Sequence, residues 1–141
     1  MFYPMMYFDP TYLLVLAGVI LSLMASARVK STFSKYAKVR NSRGMTGAEA
    51  AERVLHASGI YDVRIERVSG NLTDHYDPRS KVLRLSDAVY DDTSVAAVGV
   101  ATHECGHAIQ HAVGYGPLKL RSTLVPIANF GAQIAWPLIL I

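Results

Sequence analysis

Two histidines stand four residues apart in the stretch ATHECGHAIQH, which runs from Ala101 to His111. On a helix that rises about 1.5 Å and turns about 100° per residue, the rings of His103 and His107 project from one face, about 6 Å apart along the axis. This spacing lets both imidazoles bind one ion. Zinc accepts imidazole nitrogen in a tetrahedral arrangement, and its catalytic sites keep one position for water. We therefore predict that His103 and His107 are metal ligands.

Glu104 follows the first histidine and is rotated about 100° from it on an ideal helix, which directs its carboxylate toward a bound water rather than toward the metal. Zinc polarises a substrate carbonyl and lowers the pKa of its water. Glu104 would take the proton of that water and deliver it to the leaving amine. The sequence thus predicts hydrolysis of peptide bonds with Glu104 as the general base and Zn²⁺ as the cofactor. Two histidines that face solvent by accident are the simpler alternative.

A third metal ligand does not follow from this pattern. His111 continues the same face, but three ligands on one straight helix spread along about 12 Å, too far for one ion. His75, Asp74 or Asp77 could approach from the segment before the helix, and a pocket or hairpin-stabilising role is the alternative for His75. The single cysteine, Cys105, is predicted to be a small core residue and neither a nucleophile nor a ligand.

The metal-binding motif lies on a predicted helix from Val95 to Val113. Thr93 or Ser94 can cap its start, and Gly114 ends it. Its predicted core stripe consists of Val95, Val98, Thr102, Cys105, Ile109 and Ala112. Close packing of neighbouring elements is expected at its small residues, which are Ala96, Ala97, Gly99, Ala101, Gly106 and Ala108.

The segment before this helix contains both helix and strand signals. Thr46 and Glu49 form a capping box, and the helix that they begin is expected to end at Gly59. Alternation over residues 63–66 predicts a strand, and two strand-like runs within residues 72–85, joined by a turn with a proline, predict a hairpin. The fold class is therefore predicted to be α+β.

Both ends of the chain are apolar, and every Lys and Arg lies between Arg28 and Arg121. The run over residues 7–27 is long enough to cross a bilayer, and residues 124–141 predict a second span, with a buried helical hairpin as the alternative. A cleaved signal peptide is the alternative for the first run, but basic residues follow it and none precedes it, which places the N-terminus outside and the middle in the cytoplasm. Aromatic residues could form an interfacial belt at Phe2, Tyr3, Tyr7, Phe8 and Tyr12.

These observations divide the chain into three parts. Residues 1–27 are predicted to be an N-terminal transmembrane helix, residues 28–123 a cytoplasmic zinc-peptidase domain, and residues 124–141 the start of a second transmembrane segment in a chain that we expect to be incomplete. The net charge of +3 comes largely from the stretch after the first span, where membrane topology explains it and attraction to anionic lipid is the alternative. Nucleic-acid binding is not expected, because no known motif accompanies the basic residues.

Several motifs, in order along nearly the whole chain, resemble the YugP-like family of neutral zinc metallopeptidases, which are bacterial membrane proteins. The motifs are TGAE at 46–49, LTDHYDP at 72–78, LRLS at 83–86, HECGHAIQ at 103–110 and the segment 121–129. The resemblance implies a gluzincin-like (zincin-like) domain between membrane spans, with His103 and His107 as ligands and Glu104 as the base. It also implies a third ligand, a glutamate on a later helix. No glutamate follows Glu104, so we expect that ligand beyond Ile141.

The resemblance further suggests that an exposed strand upstream of the metal-binding helix pairs with an extended substrate. The segment Val82 to Leu85 is the predicted edge strand, and ordinary pairing within the sheet is the alternative.

The leading prediction is a membrane-bound zinc peptidase that acts on cytoplasmic or membrane-adjacent polypeptides. The alternative is a non-catalytic membrane adaptor with a structural or vestigial metal site. A metal-handling membrane protein would need more His, Asp or Cys in its spans than these apolar runs contain.

Overall fold

The computed structural model describes residues 9–140, and its first and last elements are long apolar helices. Helix α1 covers Thr11–Tyr36 and helix α5 covers Gly116–Leu140. The most apolar windows of α1 and α5 have mean hydropathies of 2.0 and 1.4, and none of their residues is buried. By length and composition, both helices could cross a membrane, as the two apolar runs predict. Four of the five predicted belt residues, Phe2, Tyr3, Tyr7 and Phe8, lie outside the described residues.

Between these helices, short elements form a mixed unit. They are α2 (Gly47–Ala57), β1 (Arg64–Val68), β2 (His75–Asp77), β3 (Val82–Ser86), α3 (Asp87–Tyr90) and α4 (Val95–Ala112). The α+β class is confirmed, and α3 is a one-turn helix that the sequence patterns did not predict.

The three strands form one sheet in the order β1-β3-β2. Strand β1 runs parallel to β3, and β2 pairs with β3 in the antiparallel direction, with His75 opposite Arg84. The turn between β2 and β3 is fixed by the carboxylate of Asp77, which accepts hydrogen bonds from the Arg79 N–H at 3.0 Å and the Ser80 hydroxyl at 2.7 Å. The predicted hairpin is therefore confirmed.

The prediction that Val82 to Leu85 form an exposed edge is wrong. Strand β3 lies in the centre of the sheet, with a hydrogen-bonded neighbour on each side. Val82, Leu83 and Leu85 are all fully buried. Leu83 and Leu85 lie on one face of the strand and Val82 on the other, so a central place in the sheet keeps all three out of water. The two edges of the described sheet are β1 and β2.

The core lies where α4 packs against α2 and the sheet. Its largest fully buried side chains include Leu55 of α2, Leu83 and Leu85 of β3, and Val89 of α3. Burying a side chain of this size contributes about 1.5–3 kcal/mol relative to leaving it in water. This core fixes the position of α4 against the rest of the unit.

The ends of α2 and α4 are formed by the residues that the sequence predicts. The Thr46 hydroxyl accepts from the Glu49 N–H and the Glu49 carboxylate accepts from the Thr46 N–H, each at 3.2 Å, so the capping box is complete. Ser94, rather than Thr93, caps α4, because its hydroxyl accepts from the Ala97 N–H at 3.0 Å. Gly59 follows α2 with a φ of 75°, a left-handed conformation that glycine adopts without strain.

The predicted core stripe of α4 is out of phase with the observed one. The buried residues of α4 are Ala96, Ala97, Ala101, Cys105 and Ala108, whereas Val95 is 41% exposed and Ala112 is exposed. A face of alanines and one cysteine fits here because α4 lies close to α2, where larger side chains would not fit. Gly99 and Gly106 do not serve close packing, since a Cβ at either position would meet no atom within 4 Å.

Candidate metal centre

His103, Glu104 and His107 bring their ligand atoms together on the outer face of α4. One ligand atom from each side chain lies within 4.8 Å of those of the other two. The two imidazole rings are 5.0 Å apart between centroids and nearly perpendicular, at 85°. His103 is exposed, while Glu104 and His107 are partly buried. The side chains of His103 and His107 therefore lie side by side, as the helical repeat predicts for residues four apart.

The carboxyl group of Glu104 has a pKa above its usual range. Partial burial is the main cause, because it disfavours the charged form, and the nearby His107 and His103 lower the pKa in opposition. Asp74 raises the pKa further and His75 lowers it, so both belong to the electrostatic surroundings of Glu104. A carboxylate with a raised pKa is better matched to proton transfer near neutral pH than an ordinary glutamate.

Gln110 lies one turn beyond His107 and bonds to its ring. The Nδ1 of His107 is 3.3 Å from the Oε1 of Gln110. Because an amide oxygen accepts hydrogen bonds, this pair favours the tautomer that has its proton on Nδ1 and a lone pair on Nε2. Metal-binding histidines usually have such a partner on the second nitrogen, which orients the ring.

The opposite face of α4 anchors the helix. Cys105 is fully buried there, and its thiol lies 3.6 Å from the backbone carbonyl oxygen of Ala51. Burial raises the pKa of the Cys105 thiol to about 12, and the charge of Glu104 adds to this shift. A thiol that stays protonated is a poor metal ligand and a poor nucleophile. The structure therefore places Cys105 in the core, as predicted.

Three acidic or histidine side chains of the hairpin region have partners of their own. The Asp74 carboxylate accepts from the Ser86 N–H at 2.7 Å, and Asp77 holds the turn. The Nδ1 of His75 lies 2.8 Å from the Thr73 carbonyl oxygen. Within residues 9–140, the metal-ligand group comprises His103, Glu104 and His107, and none of these three hairpin side chains joins it.

His111 does not join the two other histidines of α4. Its Nδ1 lies 3.1 Å from the hydroxyl of Tyr76 on β2, a contact that ties the end of α4 to the sheet. Tyr76 is partly buried, and burial raises the pKa of its hydroxyl. Sequence reasoning did not find the partner roles of Tyr76 and Gln110. For Gln110 the signal was present, since it stands three residues after His107 on a helix.

The side chains at this centre fit zinc. Two imidazole nitrogens and a carboxylate oxygen are all donors that zinc accepts. The contact with Gln110 favours the tautomer of His107 whose Nε2 is free for a metal, and partial burial protects Glu104 and His107 from bulk water. The donor set is thus compatible with zinc bound by His103 and His107, with Glu104 beside it.

Comparison with known protein families identifies the class of this chain. Residues 11–141 match the family described as "Putative neutral zinc metallopeptidase". Because the match covers nearly the whole chain, the chain belongs to this family, as its resemblance predicted.

A curated relative has a similar name. The chain is 51% identical over 122 residues to the "Putative membrane protease YugP" of Bacillus subtilis (strain 168), an alignment that covers 86% of this chain and 54% of the relative. The chain therefore spans about half the length of this relative. No solved structure matches the chain significantly.

Proposed function

We propose that this protein is a membrane-bound, zinc-dependent peptidase in which His103 and His107 bind the metal and Glu104 is the general base. The observation that carries the proposal is the convergence of their three ligand atoms within 4.8 Å of one another on one face of α4. Membership of a zinc metallopeptidase family supports the same chemistry.

In this mechanism, the residues of α4 have separate roles in binding the metal and in transferring the proton. Zinc, when bound, would act as a Lewis acid that polarises a peptide carbonyl and makes water more acidic. His103 and His107 hold it through their ring nitrogens, and Gln110 keeps His107 in the required tautomer. Glu104 takes a proton from the attacking water and returns it to the amine that leaves. The raised pKa of Glu104 makes its carboxylate a stronger base for the first half of this transfer.

Strand β2 is the edge of the sheet best placed to bind an extended polypeptide in this proposal. It is an outer strand that contacts α4 through the bond between Tyr76 and His111. Two residues of this region, Asp74 and His75, influence the pKa of Glu104, which supports a position beside the reacting groups. An added strand would gain backbone hydrogen bonds whatever its side chains.

The membrane placement is also part of the proposal. Helices α1 and α5 would cross the bilayer, and the basic residues that begin at Arg28 would lie on the cytoplasmic side. The metal centre would then act in the cytoplasm close to the membrane, and polypeptides at the membrane surface are the proposed substrates.

The test is to compare Glu104→Gln with the unaltered chain in detergent micelles supplied with zinc. We expect the variant to keep its metal and to lose peptide hydrolysis by about 10²–10⁴-fold, the usual contribution of a general base. Glu52→Gln, which removes an exposed carboxylate from α2, is the matched control and should hydrolyse normally. Retained hydrolysis in Glu104→Gln would remove Glu104 from the mechanism.

A structural metal site is the second possibility, because the carboxylate of Glu104 is close enough to both imidazoles to serve as a third ligand. The same variant separates the two functions. If Glu104 is a ligand, Glu104→Gln should bind zinc much more weakly than the unaltered chain. If Glu104 is the base, zinc affinity should change little while hydrolysis falls.

A further inference from the structure

Backbone hydrogen bonds join the end of α1 to the start of α4. Only two residues separate Tyr36, the last residue of α1, from Val39. The carbonyl oxygen of Val39 accepts from the N–H of Val95, the first residue of α4, at 2.7 Å. The Asn41 N–H donates to the Thr93 carbonyl oxygen at 2.9 Å, so the two segments pair in the antiparallel direction. The start of α4 is therefore fixed close to the end of α1.

The side chain of Asn41 strengthens this junction. Its amide nitrogen donates to the carbonyl oxygens of Met45, at 2.7 Å, and of Thr93. Its amide oxygen accepts from the N–H groups of Arg43 at 3.2 Å and Met45 at 3.0 Å. In the last turns of α1, Phe33 is partly buried against the core. Helix α1 is thus attached to the mixed unit by packing as well as by the chain itself.

The other end of α4 is attached to α5. Helix α4 ends at Ala112 and α5 begins at Gly116, so three residues connect them. The Tyr115 N–H donates to the carbonyl oxygen of Gln110 at 2.9 Å, which ties the connection back onto α4. Each end of α4 is therefore held by one of the two long apolar helices.

The polar flanks of these two apolar helices are nearly equal in length. Residues 28–36 of α1 extend about 13 Å beyond its apolar run, and residues 116–123 of α5 extend about 12 Å before theirs. With both apolar runs in the bilayer, the two ends of α4 stand at nearly the same height above the hydrocarbon. Helix α4 has 18 residues and is about 27 Å long, so equal heights require that it lie roughly parallel to the membrane surface.

We propose that α4 lies along the membrane surface and that its metal centre cuts membrane-anchored polypeptides just outside the bilayer. The choice of substrate rests on the proposed peptidase function. His103 is eight residues after the start of α4 and His107 is five residues before its end, so the metal centre lies near the middle of the helix. Its height is then close to that of the two ends, about 12 Å above the hydrocarbon.

This height limits which peptide bonds the metal centre can reach. An extended chain spans at most about 3.6 Å per residue, so a bond within about two residues of the membrane span is too close to the bilayer. A flexible segment of about five residues has a mean length that matches the height. Longer segments lower the effective concentration, by about 10-fold between about 5 and about 25 residues. The substrates are therefore the juxtamembrane segments of other membrane proteins.

The first test measures the height of both ends of α4 without reading hydrolysis. Val95→Cys and Val113→Cys place thiols at positions that are 41% and 73% exposed, while Cys105 is buried and stays unlabelled. Energy transfer is measured from a dye on each cysteine to labelled headgroups, with the full chain in phosphatidylcholine vesicles. We expect equal transfer at the two positions. An upright α4 would raise one end about 27 Å above the other, and a clear difference in transfer would overturn the proposal.

The second test measures how hydrolysis depends on distance from the membrane. Each substrate has one apolar helix, a Gly/Ser spacer and the same quenched casein-derived segment, in the same vesicles with zinc. We expect the fastest hydrolysis with a spacer of about 5 residues, about 10-fold slower hydrolysis with about 25, and none with one residue. Equal rates with the two longer spacers, or hydrolysis with the shortest one, would overturn the proposal.

The casein-derived segment without its apolar helix separates this inference from the proposed function. If the free segment is cut and the spacer has no effect, the placement of the metal centre is wrong and the peptidase function stands. If neither free nor anchored segment is cut, the peptidase function and the choice of substrate both fail. Energy transfer then still decides whether α4 lies along the membrane.

Discussion

The two faces of α4 have opposite requirements, although they belong to one 18-residue helix. The inner face carries Ala97, Ala101 and Cys105, all fully buried against the core. The outer face carries His103, which is exposed, and His107, which is partly buried. The inner face is made of small side chains because the helix must lie close to α2, and that close packing fixes where the histidines point. The inner face thus fixes the position of α4, and the outer face carries the candidate metal ligands.

The largest predicted difference between the faces concerns thiol chemistry. Because its pKa is raised from 9.0 to about 12, Cys105 should react with a thiol reagent at pH 7.5 about a thousandfold more slowly than an ordinary cysteine. Val113→Cys introduces a thiol at a 73% exposed position just after α4, and the variant should label one fast and one slow cysteine per chain. Two equally fast reactions would show that the thiol reagent reaches Cys105 on the inner face.

The next difference concerns stability. Ala101→Leu forces a larger side chain into the tightly packed inner face and should lower the free energy of unfolding by about 3 kcal/mol, the upper end for overpacked cores. His103→Leu, two residues away on the outer face, should change it by no more than about 0.5 kcal/mol when a chelator removes metal. Denaturant unfolding in micelles measures both. Equal losses would mean that the two faces are not distinct.

A smaller effect is expected at Gln110, the side chain that orients the ring of His107. Gln110→Ala removes the acceptor from His107 Nδ1 and should weaken zinc binding about 10-fold, as the loss of such a partner commonly does. Gln110→Glu retains an oxygen acceptor and should restore the affinity. Competition with a zinc-binding dye measures the three affinities. Unchanged binding in Gln110→Ala would mean that the ring of His107 is held in another way.

Local signals predicted much of this structure. The capping box of Thr46 and Glu49 depends on residues three apart, and the hairpin depends on a turn of four residues, so nearby sequence was sufficient. The spacing of His103 and His107 likewise follows from the helical repeat alone. Such features are decided by residues that are close together along the chain.

Features that depend on distant neighbours were not predicted correctly. Val95 resembles a core residue in the sequence, yet it is exposed because α2 covers the alanine face instead. The segment Val82 to Leu85 was expected at an edge, but β1 and β2 occupy both of its sides. Gly106 suggested close packing, whereas no atom lies near its missing Cβ. In each case the outcome was decided by which element packs against the segment.

Isothermal titration of the full chain with zinc measures whether α4 holds the metal through His103 and His107. We expect one zinc per chain, with an affinity that falls at least about 100-fold in His103→Ala and in His107→Ala. His111→Ala, which removes the third histidine of the same helix, should bind zinc as the unaltered chain does. Unchanged binding in either of the first two variants, or no binding by the unaltered chain, would show that these two histidines do not form a zinc site.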